Sequence, residues 1–304
     1  MEDLVFYCCT FGKDLQRAKR MAESVAKHNR DAIALYVSAP RRDLDAFRAH
    51  FPSNLATLIC EEDIFDGQNG IRLDDLYALP GSEQQQIIKS EFWRLNLCEN
   101  YLVLDSDCIF LRDFYRSDFL ATGNIPYSVI HEGRSFLQPV ARFGPKRARS
   151  DFLKDRRAVM KMMEREGLVY DFGYAPFIWS RRVWEDLTVK FLQPRGMTFL
   201  DAVKQCPSEL TWYGETLLKF RSIPIWPREE LFRHYHYEHQ YWVDRKLGYT
   251  PDILKKDYLG IVFQSNWQTW EDFGRPTKSL ASRFVRAAKR FLKRIRFELS
   301  LLRG

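Results

Sequence analysis

The sequence lacks several common signals. Its six cysteines include no CxxC pair and follow no zinc-site spacing. Four of them lie in apolar runs, where cysteine acts as a small hydrophobic residue, and this usage favours a reducing cytosol. No stretch reaches the roughly 18 uninterrupted apolar residues of a membrane span. We therefore expect a cytoplasmic protein without a transmembrane helix.

The amino terminus lacks the basic segment and the cleavage site of a secretory signal peptide. Met1–Phe6 leads directly into an apolar run. We expect no signal peptide. At 304 residues, 45% of them hydrophobic and 15% aromatic, the chain has ample material for a large core. We find no internal repeat and no low-complexity linker.

Net positive charge is missing from most of the chain. Residues 279–304 contain eight Lys and Arg residues and one acid, Glu298, which together account for the whole net charge of +7. Residues 1–278 are therefore formally neutral. A neutral body argues against a nucleic-acid groove on the fold, so we expect no nucleic-acid partner.

The basic tail carries a regular apolar stripe. Its members recur every three or four residues and are Leu280, Phe284, Ala287, Phe291, Ile295, Leu299 and Leu302. This pattern predicts a helix that lies in an anionic membrane surface, at the inner face of the cell membrane. The alternative is a terminal helix packed on the body.

The first 114 residues alternate between two kinds of pattern. Short β-rich apolar runs are separated by segments with helical spacing, which predicts a parallel α/β sheet with right-handed crossovers. The expected strands are Leu4–Thr10, Ala32–Ser38 and Ala56–Cys60, and the expected helices are Leu15–His28, Leu44–Phe51 and Ser82–Asn100. Residues 61–80 are expected to be irregular.

The second half has shorter elements. Residues 133–158 are strongly basic and poor in periodicity, which predicts an irregular loop. Val169–Ser180 and Gly260–Ser265 are expected strands, and Ser208–Phe220 an expected helix.

Two acids interrupt the most apolar run of the chain. Tyr101–Leu104 leads into Asp105, Ser106 and Asp107. Alternate residues of an extended chain point to the same side about 7 Å apart, and two such carboxylates repel unless a cation lies nearby. Mg²⁺ and Mn²⁺ accept carboxylates together with phosphate oxygens. The alternative is a turn that uses Asp and Ser as polar punctuation.

The segment from Ile88–Leu95 through Tyr101–Asp107 resembles the helix-then-DxD segment of GT8-like and related bacterial polysaccharide enzymes, within the GT-A class of glycosyltransferases. The resemblance implies an α/β fold of the GT-A type, a mixed sheet flanked by helices that binds a nucleotide sugar. It also implies Mn²⁺ or Mg²⁺ and a nucleoside-diphosphate sugar, expected to be a UDP-sugar. Asp107 would ligate the metal, and Asp105 would bind a metal water or the donor.

Further residues are expected to contact the donor. Lys89 and Arg94 are candidate phosphate partners, with a solvated helix face as the alternative. Parallel sheets bind ligands at the carboxyl ends of their strands. The remaining candidates for donor binding at such strand ends are Thr10, Phe11, Asp14, Asp105 and Ser106.

Two later clusters complete the predicted site. Glu209 is the expected catalytic base or acceptor contact, with Glu215 second, because an inverting transferase needs a carboxylate base. The alternative is an amphipathic helix with two surface acids. His236 is the preferred third metal ligand among the three histidines of 233–239. Asn266 and Trp267 are weaker candidates.

These features predict a metal-dependent hexosyltransferase. It would transfer a sugar to a saccharide or lipid-linked acceptor in bacterial surface polysaccharide or lipopolysaccharide assembly. Residues 1–114 would form the nucleotide-sugar half, residues 115–278 the acceptor half, and residues 279–304 the membrane helix. The alternatives are a membrane-associated scaffold without catalysis and a HAD-like phosphohydrolase.

Overall fold

A computed structural model describes residues 1–65, 70–134, 137–138, 147–264 and 279–302. Its strands, numbered in chain order, are β1 (Glu2–Cys9), β2 (Leu35–Ala39), β3 (Thr57–Cys60), β4 (Cys98–Leu104), β5 (Cys108–Phe110), β6 (Leu120–Ala121), β7 (Ile125–Val129), β8 (Phe177–Ser180), β9 (Trp226–Arg228), β10 (Phe232–Tyr235) and β11 (Gly260–Phe263). The α-helices are α1 (Leu15–His28), α2 (Arg41–His50), α3 (Leu73–Tyr77), α4 (Gly81–Glu91), α5 (Ala148–Met162), α6 (Arg181–Asp186), α7 (Phe199–Gln205), α8 (Glu209–Phe220), α9 (Glu238–Lys246), α10 (Pro251–Leu254) and α11 (Leu280–Leu302).

The main sheet has the strand order β3-β2-β1-β4-β8. The first four strands are parallel, and β8 pairs antiparallel with β4. Helices α1 and α2 connect the parallel strands. The predicted α/β class, a mixed sheet flanked by helices, is confirmed. Two three-stranded sheets, β10-β11-β5 and β6-β7-β9, flank the main one.

The central strands are buried on both faces. In β1, Val5 and Tyr7 belong to one hydrophobic cluster, while Leu4 and Phe6 belong to the other. This burial explains why β1 and β4 read as continuous apolar runs rather than alternating ones. Each large apolar side chain contributes about 1.5–3 kcal/mol by leaving water, so the two clusters hold the main sheet between its helices.

The acidic pair lies at a change of sheet. After β4 the chain turns at Asp105–Asp107, where Cys108 N donates to Asp105 O at 3.1 Å, and it enters β5. Strand β5 pairs with β11, and β11 pairs with β10. The small sheet therefore carries β10 and its histidines toward the end of β4.

The predicted helix over Ser82–Asn100 is wrong in its second half. Helix α4 ends at Glu91, a 3₁₀ turn covers Phe92–Leu95, and β4 already begins at Cys98. Asn96 adopts a left-handed backbone with φ of 53°. Asparagine tolerates this conformation and commonly ends helices in this way.

The predicted irregular loop over 133–158 is also wrong from Ala148 onward, where α5 begins. Its buried contacts explain the helix. Val159 is fully buried, and the side chain of Arg156 donates to Asp171 Oδ1 at 2.5 Å. The many basic residues of this segment obscured its helical pattern, and the contact with Asp171 is not visible in the sequence.

Two further expectations need correction. Residues 61–80 contain a 3₁₀ helix at Glu61–Phe65 and the short helix α3, rather than irregular chain alone. The strand expected over Val169–Ser180 begins only at Phe177. Pro176 has no backbone N–H to donate, so it does not extend the strand. Asn266 and Trp267 lie outside the described residues.

Helix α11 is present as predicted. None of the described helices combines the length and the apolar character that a membrane span requires.

Candidate active site

A buried lysine faces the first acid of the pair. Lys89 lies in the last turns of α4 with 5% of its surface exposed, and its Nζ donates to Asp105 Oδ1 at 2.5 Å. Tyr101 Oη donates to the Lys89 carbonyl at 3.2 Å, which ties the same turn to β4. Burial lowers the pKa of Lys89, but the carboxylates of Asp105 and Glu209 outweigh it and hold the pKa above its usual range. Lys89 is therefore a permanent cation in the site.

Glu209 completes this charged group. It is the first residue of α8, and the charges of both Lys89 and Asp105 act on it. Burial raises the pKa of the Glu209 carboxyl, while Lys89 opposes that rise. The charges of two carboxylates, Asp105 and Glu209, thus act on the single cation of Lys89.

The end of β1 lies beside this group. Cys8 pairs with Leu104, the residue before Asp105. Burial raises the pKa of the Cys8 thiol, and the charges of Asp105 and Asp107 add to that rise, which places both acids near it. Thr10 is 3% exposed, and its buried Oγ1 has no hydrogen-bond partner within the part of the chain that the structure describes. Strand order changes direction between β1 and β4, which is where open α/β sheets bind ligands.

His234 approaches from β10. Its Nδ1 lies 3.3 Å from the Ala175 carbonyl, so Nδ1 carries the proton and Nε2 presents a lone pair. That Nε2 is buried, and none of the described residues forms a hydrogen bond with it. Burial lowers the pKa of His234 to about 4, and Asp105 is close enough to oppose the shift. The imidazole is therefore neutral at pH 7.

His236 lies next to His234. Their ring centroids are 5.9 Å apart, so the two side chains share one side of the segment. Burial also lowers the pKa of His236, to about 3. The charge of Asp105 opposes the lowering of the His234 pKa, and the Nε2 of His234 is buried. We therefore take His234, beside His236, as a candidate imidazole for the acidic pair.

The prediction of a metal site is supported by the types of residue present and not by a preformed arrangement of ligands. Within the described ranges, no group of three or more His, Cys, Asp and Glu side chains is arranged to hold a metal ion. The second oxygen of Asp105, the carboxylate of Asp107 and the unpartnered Nε2 of His234 are suitable ligands for Mn²⁺. These residues fit the ion chemically, and they are the ones that would hold it.

Several sequence-predicted residues are engaged in other contacts. Asp14 receives a hydrogen bond from Arg17 Nη1 at 2.5 Å, and Arg94 pairs with buried Glu91. Phe11 and Ser106 are half-buried, the former at the start of a 3₁₀ turn and the latter between the two acids. They remain candidates by position alone.

Glu215 lies in a different environment from Glu209. Its side chain is fully buried, and Arg165 donates to both of its oxygens, at 2.8 Å from Nη2 to Oε1. The six-residue offset turns it about 240° around α8 from Glu209. Glu215 therefore faces Arg165, and Glu209 is the acid that faces Lys89.

A polar cluster behind His234 was not anticipated from the sequence. Tyr174 stacks on His234 with centroids 4.8 Å apart. Asp171, which is 1% exposed, binds Arg156, and His131 Nε2 donates to Glu230 Oε1 at 2.6 Å. The His131 and Glu230 side chains are 99 residues apart in the sequence. No local pattern joins residues at such distances.

Glu61 was also missed. It follows β3 at the same edge of the sheet, is 4% exposed, and accepts a hydrogen bond from Tyr77 Oη at 3.1 Å. Burial raises the pKa of Glu61 to about 7. The only sequence signal was its position directly after an apolar strand.

The fold and the site define a mixed α/β protein with a charged site at the carboxyl edge of its parallel strands. The chain matches the family described as "family of unknown function (DUF6492)" over residues 7–249, and it belongs to that family. A comparison with curated proteins finds no match. Among solved structures, the chain is similar to the apo crystal structure of mouse xyloside xylosyltransferase 1, with 11% identity and a TM-score of 0.46. That alignment covers 86% of this chain and 98% of the mouse chain.

Proposed function

We propose that the protein is a glycosyltransferase, which moves a sugar from a nucleoside-diphosphate donor to a hydroxyl group of a saccharide or lipid-linked acceptor. The observation that carries the proposal is the buried contact of Lys89 with Asp105 at the end of β4, with Glu209 beside it. The location at the edge between β1 and β4 supports a nucleotide ligand.

The donor diphosphate requires positive charge and hydrogen-bond donors. Lys89 is a permanent cation with three N–H donors, of which one is directed to Asp105. The unpartnered hydroxyl of Thr10 lies at the end of the adjacent strand. Contacts with β4 hold Lys89, and the end of β1 holds Thr10, before any ligand arrives. Such preorganisation favours binding of a charged leaving group.

The proposed reaction breaks the bond between the sugar C1 and the diphosphate oxygen and forms a bond between C1 and the acceptor oxygen. In an inverting reaction, Glu209 takes the acceptor proton, and its raised pKa makes it a stronger base than an ordinary carboxylate. In a retaining reaction, the departing phosphate oxygen takes that proton instead. A bound Mn²⁺ or Mg²⁺ would stabilise the charge that develops on the diphosphate.

The finer proposal concerns the pathway. The likeness of the segment ending in Asp105–Asp107 to bacterial polysaccharide enzymes supports surface polysaccharide or lipopolysaccharide assembly. Such a role places the protein in the cytoplasm, at the inner face of the membrane. A UDP-sugar is the donor that we would test first.

The test is a panel of UDP, GDP, CDP and dTDP sugars, with and without Mn²⁺, measured by thermal shift and calorimetry. One donor class should stabilise the wild type and the control Asp45→Ala, whose side chain is exposed. Asp107→Ala should keep its melting temperature without ligand but lose donor stabilisation and donor hydrolysis. Undiminished donor binding and transfer by Asp107→Ala would refute the proposed site. Binding of donors by no form of the protein would instead favour a scaffold without catalysis.

A further inference from the structure

Helix α11 contacts the body through one aromatic ring and two ion pairs. Phe297 is 5% exposed, and its ring lies 5.5 Å from that of Trp242 in α9. Lys293 Nζ lies 3.2 Å from Glu238 Oε2, and Glu298 pairs with Lys246. These contacts lie in the second half of the helix and fix it to α9.

The apolar stripe of α11 faces solvent. Leu280 is 82% exposed, Phe284 76%, Phe291 65% and Leu299 49%. At about 100° per residue these side chains fall within one arc of about 100°, and Phe297 lies about 150° from the centre of that arc. The alternative in which the stripe packs on the body does not hold, because these side chains face solvent, whereas the buried anchor Phe297 lies on another side of the helix.

Basic residues border the stripe. Lys289 and Arg296 lie along one edge and Arg294 along the other, and all three are exposed. The body is neutral, so the tail concentrates the whole net charge of the chain. Two copies that joined through this stripe would bring two such tails together against their mutual repulsion. An anionic surface removes that repulsion and covers the apolar side chains.

A second set of exposed apolar residues adjoins the attachment point. The chain after α9 exposes Leu247 to 67%, Tyr249 to 43% and Ile253 to 40%. They follow Lys246, the residue that pairs with Glu298 of the tail. A cleft between α9 and α11 adds three cationic side chains and two aromatic ones, and its lining consists of Tyr241, Trp242, Arg245, Lys246, Arg294 and Glu298.

We propose that α11 and the segment 247–253 form a docking surface for an anionic phospholipid bilayer. The apolar stripe inserts between the head groups, and the bordering Lys and Arg residues contact lipid phosphates. An interfacial helix of this kind gains both from apolar burial and from charge attraction.

The same geometry bears on the acceptor, a step that rests on the proposed function. Helix α9 begins two residues after His236 and carries Trp242 and Lys246, which hold the tail. Its nine residues span about 14 Å. Docking would therefore hold the candidate site about one short helix from the head groups, within reach of a lipid-linked acceptor.

The experiment is flotation of the full-length protein with two kinds of vesicle. One contains phosphatidylcholine alone, and the other contains about a quarter of the anionic lipid phosphatidylglycerol in addition. The wild type should bind the anionic vesicles at least tenfold more strongly, and binding should fall at high salt. The double variant Phe284→Glu and Phe291→Glu should lose at least tenfold in binding. The control Leu168→Glu and Val189→Glu changes apolar residues of similar exposure on the body and should bind like the wild type.

Equal flotation of the stripe variant and the wild type would overturn the proposal. The proposal would also be overturned if the wild type does not bind vesicles but forms a concentration-dependent dimer in light scattering, and the stripe variant does not. That result would show that a second copy of the chain covers the stripe. Donor binding should be the same in the stripe variant and the wild type. A protein that binds vesicles but no donor would therefore refute the proposed function alone.

Discussion

Lys89 and Asp105 form a buried ion pair, with 6% of the lysine side chain exposed and 25% of the aspartate side chain. The pair joins α4 to the end of β4. It holds the lysine ammonium, the cation of the candidate site, next to the first acid of the Asp105–Asp107 pair. A single contact therefore serves both the stability of this corner and the charge that would meet a diphosphate.

The first prediction concerns this pair. Lys89→Met should lower the free energy of unfolding by about 3 kcal/mol, because it leaves the Asp105 carboxylate partly buried without its partner. Donor affinity measured by calorimetry should fall at least tenfold. Lys89→Met/Asp105→Asn should recover stability but not donor binding. Wild-type donor affinity in Lys89→Met would contradict the role of Lys89.

The second prediction separates the two glutamates of α8. Glu209→Gln should lower the rate of sugar transfer by about 100-fold or more while donor binding persists, as expected for loss of a general base. In the wild type, activity should fall on the acidic side as the raised pKa of Glu209 is crossed, and this limb should be absent in the variant. Initial rates across pH measure both effects.

Glu215→Gln is the matched comparison. It should leave the per-molecule rate of folded enzyme near that of the wild type, yet cost about 3 kcal/mol in urea unfolding, because Arg165 loses its buried partner. The reverse pattern, with Glu215→Gln inactive and Glu209→Gln active, would exchange the two roles.

The third prediction concerns pH and stability at Glu61. Its folded pKa of about 7 is above the ordinary value of 4.5, so the folded state binds the proton more tightly than the unfolded state. Stability from this group is complete below pH 4.5 and is lost as pH rises through 7, by about 3 kcal/mol in total. Urea unfolding at successive pH values should show this fall, and Glu61→Gln should flatten it. An unchanged slope in Glu61→Gln would disprove the assignment.

The fourth prediction compares the histidines. His234→Ala should weaken Mn²⁺ binding in the presence of UDP by at least tenfold in calorimetry, because its unpartnered Nε2 is the available imidazole ligand near Asp105. His50→Ala changes an exposed histidine and should bind Mn²⁺ normally. If His236→Ala abolishes binding while His234→Ala does not, the original preference for His236 is correct.

The main sheet was predictable because its signals are local. The stripe of α1 fixed a helix over Leu15–His28, the bounds that the structure shows. The apolar runs of β1 and β4 indicated strands buried on both faces, and the break at Asp105–Asp107 marked the edge of the sheet. These properties depend on neighbouring residues, so the sequence alone determined them.

The roles of the charged residues depended on contacts between distant segments. Glu209 and Glu215 lie on one helix, but Lys89 and Arg165 give them different surroundings. Likewise, only the folded chain shows that α11 is held through Phe297 and turns its apolar stripe outward. Periodicity specifies which residues share a face of a helix, whereas tertiary packing decides what that face meets.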